Sequence, residues 1–492
     1  MSDFNPRGLR RSAALTVLLV AVLGAGCASR TVYVHPVDPP QTRYESSTGA
    51  KTSPAAASGD SASKVAFGDG PSDSWWTLLG SEQIDRLVAL ALANNQSVAS
   101  AQAHLAAARE RIRAARGAWY PQVDATLAAQ RTRYGAPVLG SLAKDFPAYS
   151  AYTVGPTVSY DLDLFGATRS RVEQAAAGTQ FESAQLDAVA LTVTGNVVIQ
   201  ALQIAELRAQ IRVAQGIIDD DEHTLALIRG AREAGAVSDM DVLSAQSQTD
   251  HDRTLLPPLQ QQLSVAQAVL TSLIGAAPSD WTAPDVDLED LKLAAQLPAA
   301  LPSELVHRRP DIDAAEAQLH AASAALGIAT ANLYPQLTLS AAIGEQGLLG
   351  GGPSETASNI LGGLTAPLFH GGALTAERRA AQDEYRAAYA AYRQTVLEAF
   401  SQVAAALQAL DNDAASLSTQ QQALQSAGAS LALTRQAYAA GNAGYIQVLD
   451  AQRLHQQAQL GEVEADSQRY VDAVKLMLAA GGRVKLARAD PP

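Results

Sequence analysis

The residues of this chain that could do chemistry are sparse and do not converge. Its eight histidines are scattered, with no His-x-x-x-His pair and no cysteine beside them, so they lack the spacing of a metal centre. Gly347, Gly350, Gly351 and Gly352 crowd one segment, but no Lys-Ser/Thr pair follows to complete a phosphate cradle. That segment lies between two alternating tracts and is expected to be a hairpin loop. Arg308-Arg309-Pro310-Asp311 carries charge enough for a site, yet Pro310 at a helix start and Asp311 in its first turn serve helix initiation equally well. No catalytic, cofactor-binding or metal constellation emerges, so neither an enzyme nor a resident cofactor is expected. Asp241 and Asp450 hold more interest, because each follows a glycine turn, at Gly235 and at Gly441-Asn442, that reverses a very long helical tract. Two readings of these carboxylates stay open: an acidic ring at a helical tip, or the solvated first turn of a helix, which the dipole favours.

The N-terminus addresses the chain to an envelope. Arg7, Arg10 and Arg11 precede the apolar run 13–22, which ends in Leu23-Gly24-Ala25-Gly26-Cys27. A basic segment, a short apolar run and small residues predict a signal peptide over 1–26, too short to span a membrane. The segment resembles a bacterial lipobox, departing from it at Gly24 where leucine is usual, and it makes Cys27 the expected lipidation site. Cys27 is the one cysteine in the sequence, which excludes an intrachain disulfide. Residues 27–71, rich in Ser, Ala, Gly, Pro and Thr, are expected to form a lipidated flexible leader. The formal net charge of −13 argues against a nucleic-acid partner.

The elements that position these residues come in two copies. Trp119-Tyr120-Pro121-Gln122 matches Leu333-Tyr334-Pro335-Gln336, and the turn at Gly235 with Val242-Leu243-Ser244-Ala245-Gln246 matches Gly441 with Val448-Leu449-Asp450-Ala451-Gln452. Each copy reads as a helix-strand-strand-helix-helix unit, over 72–275 and 301–480, joined by a proline-rich connector at 276–300 and followed by a flexible tail at 481–492. A helix is predicted from Ser81 to Arg116. Two proline-free tracts, 167–233 and 373–440, predict helices that approach ~100 Å at 1.5 Å per residue. Tyr385, Tyr389, Tyr392, Val396, Phe400, Val403, Leu407 and Leu410 step by threes and fours, close to the coiled-coil period. Asp411-Asn412-Asp413 is expected to break the second tract.

Four strands are predicted, near 120–134, 152–164, 334–343 and 359–369. The second is the clearest: Tyr152, Val154, Pro156, Val158, Tyr160, Leu162 and Leu164 fall on one face, with Thr, Gly, Ser and Asp on the other. Alternation of this length suits a membrane strand, whose lipid-facing residues are then Tyr152, Val154, Val158, Tyr160 and Leu162. Pro156 weakens the ladder by one donor. Four such strands cannot close a barrel, and an open edge in lipid leaves backbone groups unpaired, so the chain must oligomerise. From physics alone two, three or four copies remain open.

Leu301-Pro-Ser-Glu-Leu, Arg308-Arg-Pro-Asp-Ile, Tyr334-Pro335, Pro367-Leu-Phe and the two Gly…Val-Leu-x-Ala-Gln turns resemble the TolC-type outer-membrane efflux proteins, most nearly the lipoprotein branch that serves resistance-nodulation-division (RND) drug pumps. The resemblance implies a mixed α and β membrane protein. Its homotrimer would form a twelve-stranded barrel in outer-membrane lipid, continued by a coiled-coil tunnel into the periplasm. It implies a periplasmic adaptor and an inner-membrane pump as partners, and passage of drugs or other small toxic compounds without chemistry in this subunit. It also places Asp241 and Asp450 at the periplasmic aperture, with Tyr438 in a latch. Here Ala443 replaces the arginine that completes the latch in some members, and Ser244 is neutral at the position where the other copy has Asp450. Protein secretion, metal-cation efflux and a structural coiled-coil stalk are the competing expectations.

Overall fold

The computed structural model describes residues 33–37, 43–44, 64–68, 70–133 and 148–485. The signal peptide and Cys27 lie outside the described residues, as does the tail from residue 486. The chain divides into two compact units. One comprises Met1–Pro36, Leu105–Glu182 and Ala315–Tyr392, and the other Val37–His104, Ser183–Ala314 and Arg393–Pro492.

Alanine- and glutamine-rich tracts without proline favour helix, and the long helices follow them closely. Helix α1 spans Glu82–Asn94 and α2 Gln96–Gly117. The single helix expected from Ser81 to Arg116 is therefore split, and Asn95 is the cause. Its Oδ1 accepts from the N–H groups of Ser97 (2.8 Å) and Val98 (3.3 Å), capping α2, while Nδ2 donates to the Leu273 carbonyl at 2.7 Å. Helix α3 spans Ala167–Glu233, α4 Asp239–Arg253 and α5 Leu256–Ile274. Four residues at Pro302–Leu305 form α6, and α7 spans Pro310–Ala331. Helix α8 spans Ala373–Ala439 and α9 Tyr445–Ala479.

Helices α3 and α8 are each 67 residues long, so the break expected at 411–413 does not occur. The helix-propensity penalty of Asp and Asn is a few tenths of a kcal/mol each, ~0.7 at most. Packing of a long helix face outweighs it. Within α8 the seam includes Ala381, Tyr392, Val396, Ala399, Val403 and Ala406, all buried. The expected three-four stripe holds from Tyr392 to Ala406, with Ala399 and Ala406 in place of Phe400 and Leu407, small residues that let backbones approach, whereas Tyr389 is exposed and Tyr385 and Leu410 only half-buried. An apolar stretch of α3 is long enough by composition to cross a membrane, but 56% of it is buried within the protein. Val197, Val198, Ala201, Leu202, Ile204 and Ala205 are fully enclosed there, as helical core.

Four strands form where they were expected, but with shifted ends: the third runs on to Leu348 and takes in Gly347, and the fourth begins at Glu355 and stops at Thr365, short of Phe369. Strand β2 spans Gln122–Thr132 and β3 Tyr149–Leu162. Strand β5 spans Gln336–Leu348 and β6 Glu355–Thr365. They pair antiparallel in the order β2-β3-β5-β6. A second, two-stranded parallel sheet joins β1, Lys64–Gly68, to β4, Gln296–Ala300. This corrects the expectation for two segments, because β1 falls in the expected flexible leader and β4 in the connector. Leu297, Ala299 and Ala300 are buried, and Tyr44 donates to the Ala300 carbonyl at 2.7 Å, so a few apolar contacts suffice to dock this stretch. The tail also begins inside the fold: Gly481, Gly482 and Val484 are buried, and Arg483 Nη2 donates to the His307 carbonyl at 2.6 Å.

Candidate aperture and membrane-facing sheet

Each long helix ends in the same backbone device. Gly235 (φ 75°) donates its N–H to the Arg232 carbonyl, and Ala236 donates to Ala231, both at 2.9 Å. Gly441 (φ 75°) repeats it, donating to Tyr438 at 2.9 Å while Asn442 donates to Ala437 at 2.8 Å. These paired bonds form the Schellman ending, in which a left-handed residue lets the chain turn back and satisfy the last carbonyls.

The side chains on the two turns differ. In the first, Ser238 Oγ accepts from the Asp241 N–H at 3.3 Å, and Asp241 Oδ2 accepts from the Ser238 N–H at 3.0 Å and hydroxyl at 2.8 Å. This is a capping box, so Asp241 is held in the first turn of α4. Arg232 Nε donates to Asp239 Oδ1 at 2.6 Å across the turn, and this hydrogen bond and charge hold Asp239 below the usual carboxylate range.

In the second turn Gly444 precedes α9 with no side-chain cap. Tyr445 is 5% exposed, with its ring centroid 5.8 Å from that of Tyr438. Tyr445 belongs to a cluster with Leu225 and Ile228 of α3, Ala245 of α4, Leu431 of α8, and Val448 and Leu449 of α9. Val237, Val242 and Tyr438 pack at its margin. Burial pushes the Tyr445 phenol up to about 12, and burial with the nearby Asp241 charge raises that of Tyr438. Asp450 is exposed and pairs with Arg453 at 3.8 Å one turn along. Tyr438 and Asp241 thus come close within one chain, whereas Asp450 is exposed on α9 away from them. Among the described residues no hydrogen bond joins Tyr438 to either carboxylate.

Behind these turns lies a polar group that the sequence reading missed. Asp221 of α3 and Asp252 of α4 are 4% and 3% exposed, and their carboxyl groups meet. Gln452 Nε2 of α9 donates to Asp221, while Gln456 and Gln248 donate to Asp252 Oδ2 at 3.2 and 2.8 Å. Burial, then the Asp252 carboxyl, raises Asp221 to about 8. Its signal was available, since Asp221 occupies a core position in the stepped series Ala214, Ile217, Ile218, Leu225 and Ile228. The Arg308-Arg309 tract, by contrast, is structural. Arg309 is buried, and its guanidinium donates to both Asp311 oxygens, the Ala479 carbonyl and Gln402.

The sheet sorts its faces by register. Val158 lies opposite Val123 and Ala341, and Ala341 opposite Ile360. The neighbouring rows are Tyr160–Leu339–Gly362 and Leu162–Leu337–Leu364. Val154 sits beside Leu127, and Tyr152 beside Ala129. The face that holds every residue expected to face lipid is apolar across the strands in the rows of Val158, Tyr160 and Leu162, and is interrupted nearer the hairpin ends by Glu345 opposite Val154 and Thr356 beside it. Rows such as Gln122–Ser159–Ser340 and Asp124–Thr157–Ala342–Asn359 occupy the other face, where Thr338 Oγ1 donates to Asp161 at 2.7 Å. Tyr152 and Tyr160 are separated by ~27 Å of strand at ~3.4 Å per residue, and a tilt of ~40° leaves ~20 Å between them, close to a lipid-facing band. The β3–β5 pairing lapses between Val154 and Thr157, where Pro156 has no N–H to give. Gly155 and Gly344 meet there backbone to backbone. A Cβ on Gly155 would stand 2.1 Å from the Ile343 oxygen, so neither strand has room for a side chain.

The family described as outer membrane efflux protein matches residues 87–276 and 301–482. Pyoverdine export outer membrane protein OpmQ of Pseudomonas aeruginosa is 32% identical over 431 residues, covering 85% of this chain and 90% of that relative. Outer membrane protein OprJ of the same species is 28% identical over 479 residues, covering 95% of each. The solved outer-membrane channel OprN shares the fold, with a TM-score of 0.81 at 24% identity, covering 92% of this chain and 99% of that one.

Proposed function

The chain belongs to the outer membrane efflux protein family, and from that premise we propose that three copies close their sheets into one twelve-stranded barrel. The chain is an outer-membrane channel, the exit duct of a tripartite efflux system, and a component that works with other pump subunits rather than an enzyme. The single observation behind the trimeric barrel is the register-matched sheet. It has an apolar band through the rows of Val158, Tyr160 and Leu162, and its edges β2 and β6 run in opposite directions, so β6 of one copy can pair antiparallel with β2 of the next.

The partners in this reading are a periplasmic adaptor and an inner-membrane pump of the RND type. The cargo is small organic compounds, of the kind that the relative OpmQ is named for exporting. Repeats at 72–275 and 301–480 each supply two barrel strands and one helical hairpin, and Cys27 carries the lipid anchor. Asp241, Asp450 and Tyr438, set by the turns at Gly235 and Gly441, then recur around the threefold axis as the aperture. Rings of carboxylates focus negative potential and favour cations there. Val158→Arg puts a charge on the apolar face at a cost of about 2–4 kcal/mol near mid-membrane, whereas Ser159→Arg faces the lumen. Assays of membrane insertion and protease resistance should show loss for the first and retention for the second. Equal behaviour would reject the barrel register.

A further inference from the structure

Two facing carboxyl groups in a buried site need a cation or a proton between them. Asp221 Oδ2 is enclosed and meets no donor among the described residues, although Asp252 lies in hydrogen-bonding contact. Among the described residues neither aspartate makes an ion pair. The groups packed around them are accounted for as follows. Asp220 adds negative charge from α3, and Tyr445 of α9 is near enough to feel Asp221. Arg253 of α4 is committed to Glu222 at 2.7 Å and Asp250 at 3.0 Å. Arg212 and Arg435 line the adjoining groove with Asp220, His455, Gln452 and Gln456, a space of about 460 Å³, and Arg212 is engaged by Asp287. Gln452, Gln456 and Gln248 are neutral amides.

The other repeat provides a built-in contrast. Asp413 of α8 meets Asp472 of α9, but Lys475 Nζ stands 2.8 Å from Asp472, which with Gln468 holds that carboxyl low despite burial. A lysine neutralises that pair; among the described residues no lysine or arginine does so for the first. The Asp221–Asp252 pair also borders a joint. Pro257 and Pro258 have no N–H to give to the carbonyls of Arg253 and Thr254, so helical pairing lapses between α4 and α5 at Thr254 and Leu255, although both keep right-handed helical backbone. Asp252 sits in the last turn of α4, where the helix dipole disfavours negative charge.

We propose that Asp221 and Asp252 share one proton, and that this proton clamps the α4 tip segment, hinged at Thr254–Leu255, against α3 and α9. Loss of the proton leaves two carboxylates opposed in an enclosed site, and the clamp loosens. For a carboxyl raised on folding, the stabilising contribution is complete below the ordinary Asp value and is lost as pH rises through about 8. The device therefore favours a held tip at neutral and acidic pH and a released one at alkaline pH. It rests on the channel reading only for its effect on flow.

Difference infrared spectroscopy of the full-length protein, titrated from about pH 4 to about pH 10, reads the proton directly and needs no pore. The wild type should lose a protonated carboxyl band with a midpoint near pH 8. Asp221→Asn should abolish that band. Asp413→Asn should leave it and remove instead a transition near pH 6. Gln452→Leu removes the donor that favours ionised Asp221 and should move the midpoint upward, which tests the pair without altering either aspartate. In planar bilayers the wild-type conductance should rise over the same alkaline interval, and Asp221→Asn should lose the rise. Absence of a protonated carboxyl at neutral pH, or its survival in Asp221→Asn, overturns the proposal, as would an unchanged alkaline rise in that variant. A channel that conducts without this band keeps the efflux reading and loses the clamp.

Discussion

The two helical hairpins share a backbone and differ in what holds them shut. Gly235 and Gly441 have the same φ of 75° and the same pair of carbonyl bonds. The positions of Arg232 and Asp239, an ion pair in the first hairpin, are those of Tyr438 and Tyr445 in the second, an aromatic pair. The Ser238–Asp241 capping box likewise corresponds to Gly444 and Gln447, which make no such cap. Duplication has kept the geometry that only glycine allows and let chemistry diverge where side chains project. The first turn is fastened by charge and hydrogen bonds open to solvent, the second by an aromatic pair set in an apolar cluster to which both hairpins contribute. Salt and pH should act mainly on the first, and cavity-forming substitutions mainly on the second.

The largest effect that would break this contrast lies at Tyr445. Tyr445→Ala empties a fully packed position and should cost about 3 kcal/mol or more, read as lowered thermal stability of the purified protein. The aligned Asp239→Ala should shift it far less, and comparable losses would abolish the distinction. Gly235→Ala and Gly441→Ala come next. Nothing crowds either glycine, so each should cost about 1–2 kcal/mol from the left-handed backbone alone, and by equal amounts. A cost at only one turn would show that the shared geometry is superficial. Ser238→Ala removes the cap of α4 and should cost about 1 kcal/mol, while Gly444→Ser should restore a cap to α9 and raise stability slightly. The smallest effect is ionic: added salt should weaken the exposed Arg232–Asp239 pair and leave the Tyr438–Tyr445 contact intact, which hydrogen exchange at the two turns can separate.

Much of the architecture was legible because it depends on period. Strand β3 announced itself by thirteen alternating positions from Tyr152 to Leu164, and register carried that pattern across the sheet. The turns were legible through Gly235 and Gly441. Features set by single side chains were not. Asn95 divides a helix by capping it, which an alanine-rich pattern hides, and Asp411-Asn412-Asp413 sits inside a helix because packing outweighs weak propensity. Strands β1 and β4 are short and lack alternation, so nothing in their composition marked them. At the candidate aperture, Ser238-x-x-Asp241 spelled a capping box that was open to reading, and Asp221 at a core position of α3 was visible as a polar intruder.

Planar-bilayer recording of the purified full-length protein tests the central claim most directly. The account predicts discrete, long-lived, cation-favouring conductance steps from the wild type and from Ser159→Arg, and none from Val158→Arg. A protein that leaves bilayers silent, or a Val158→Arg variant that conducts like wild type, would contradict a barrel built from this sheet.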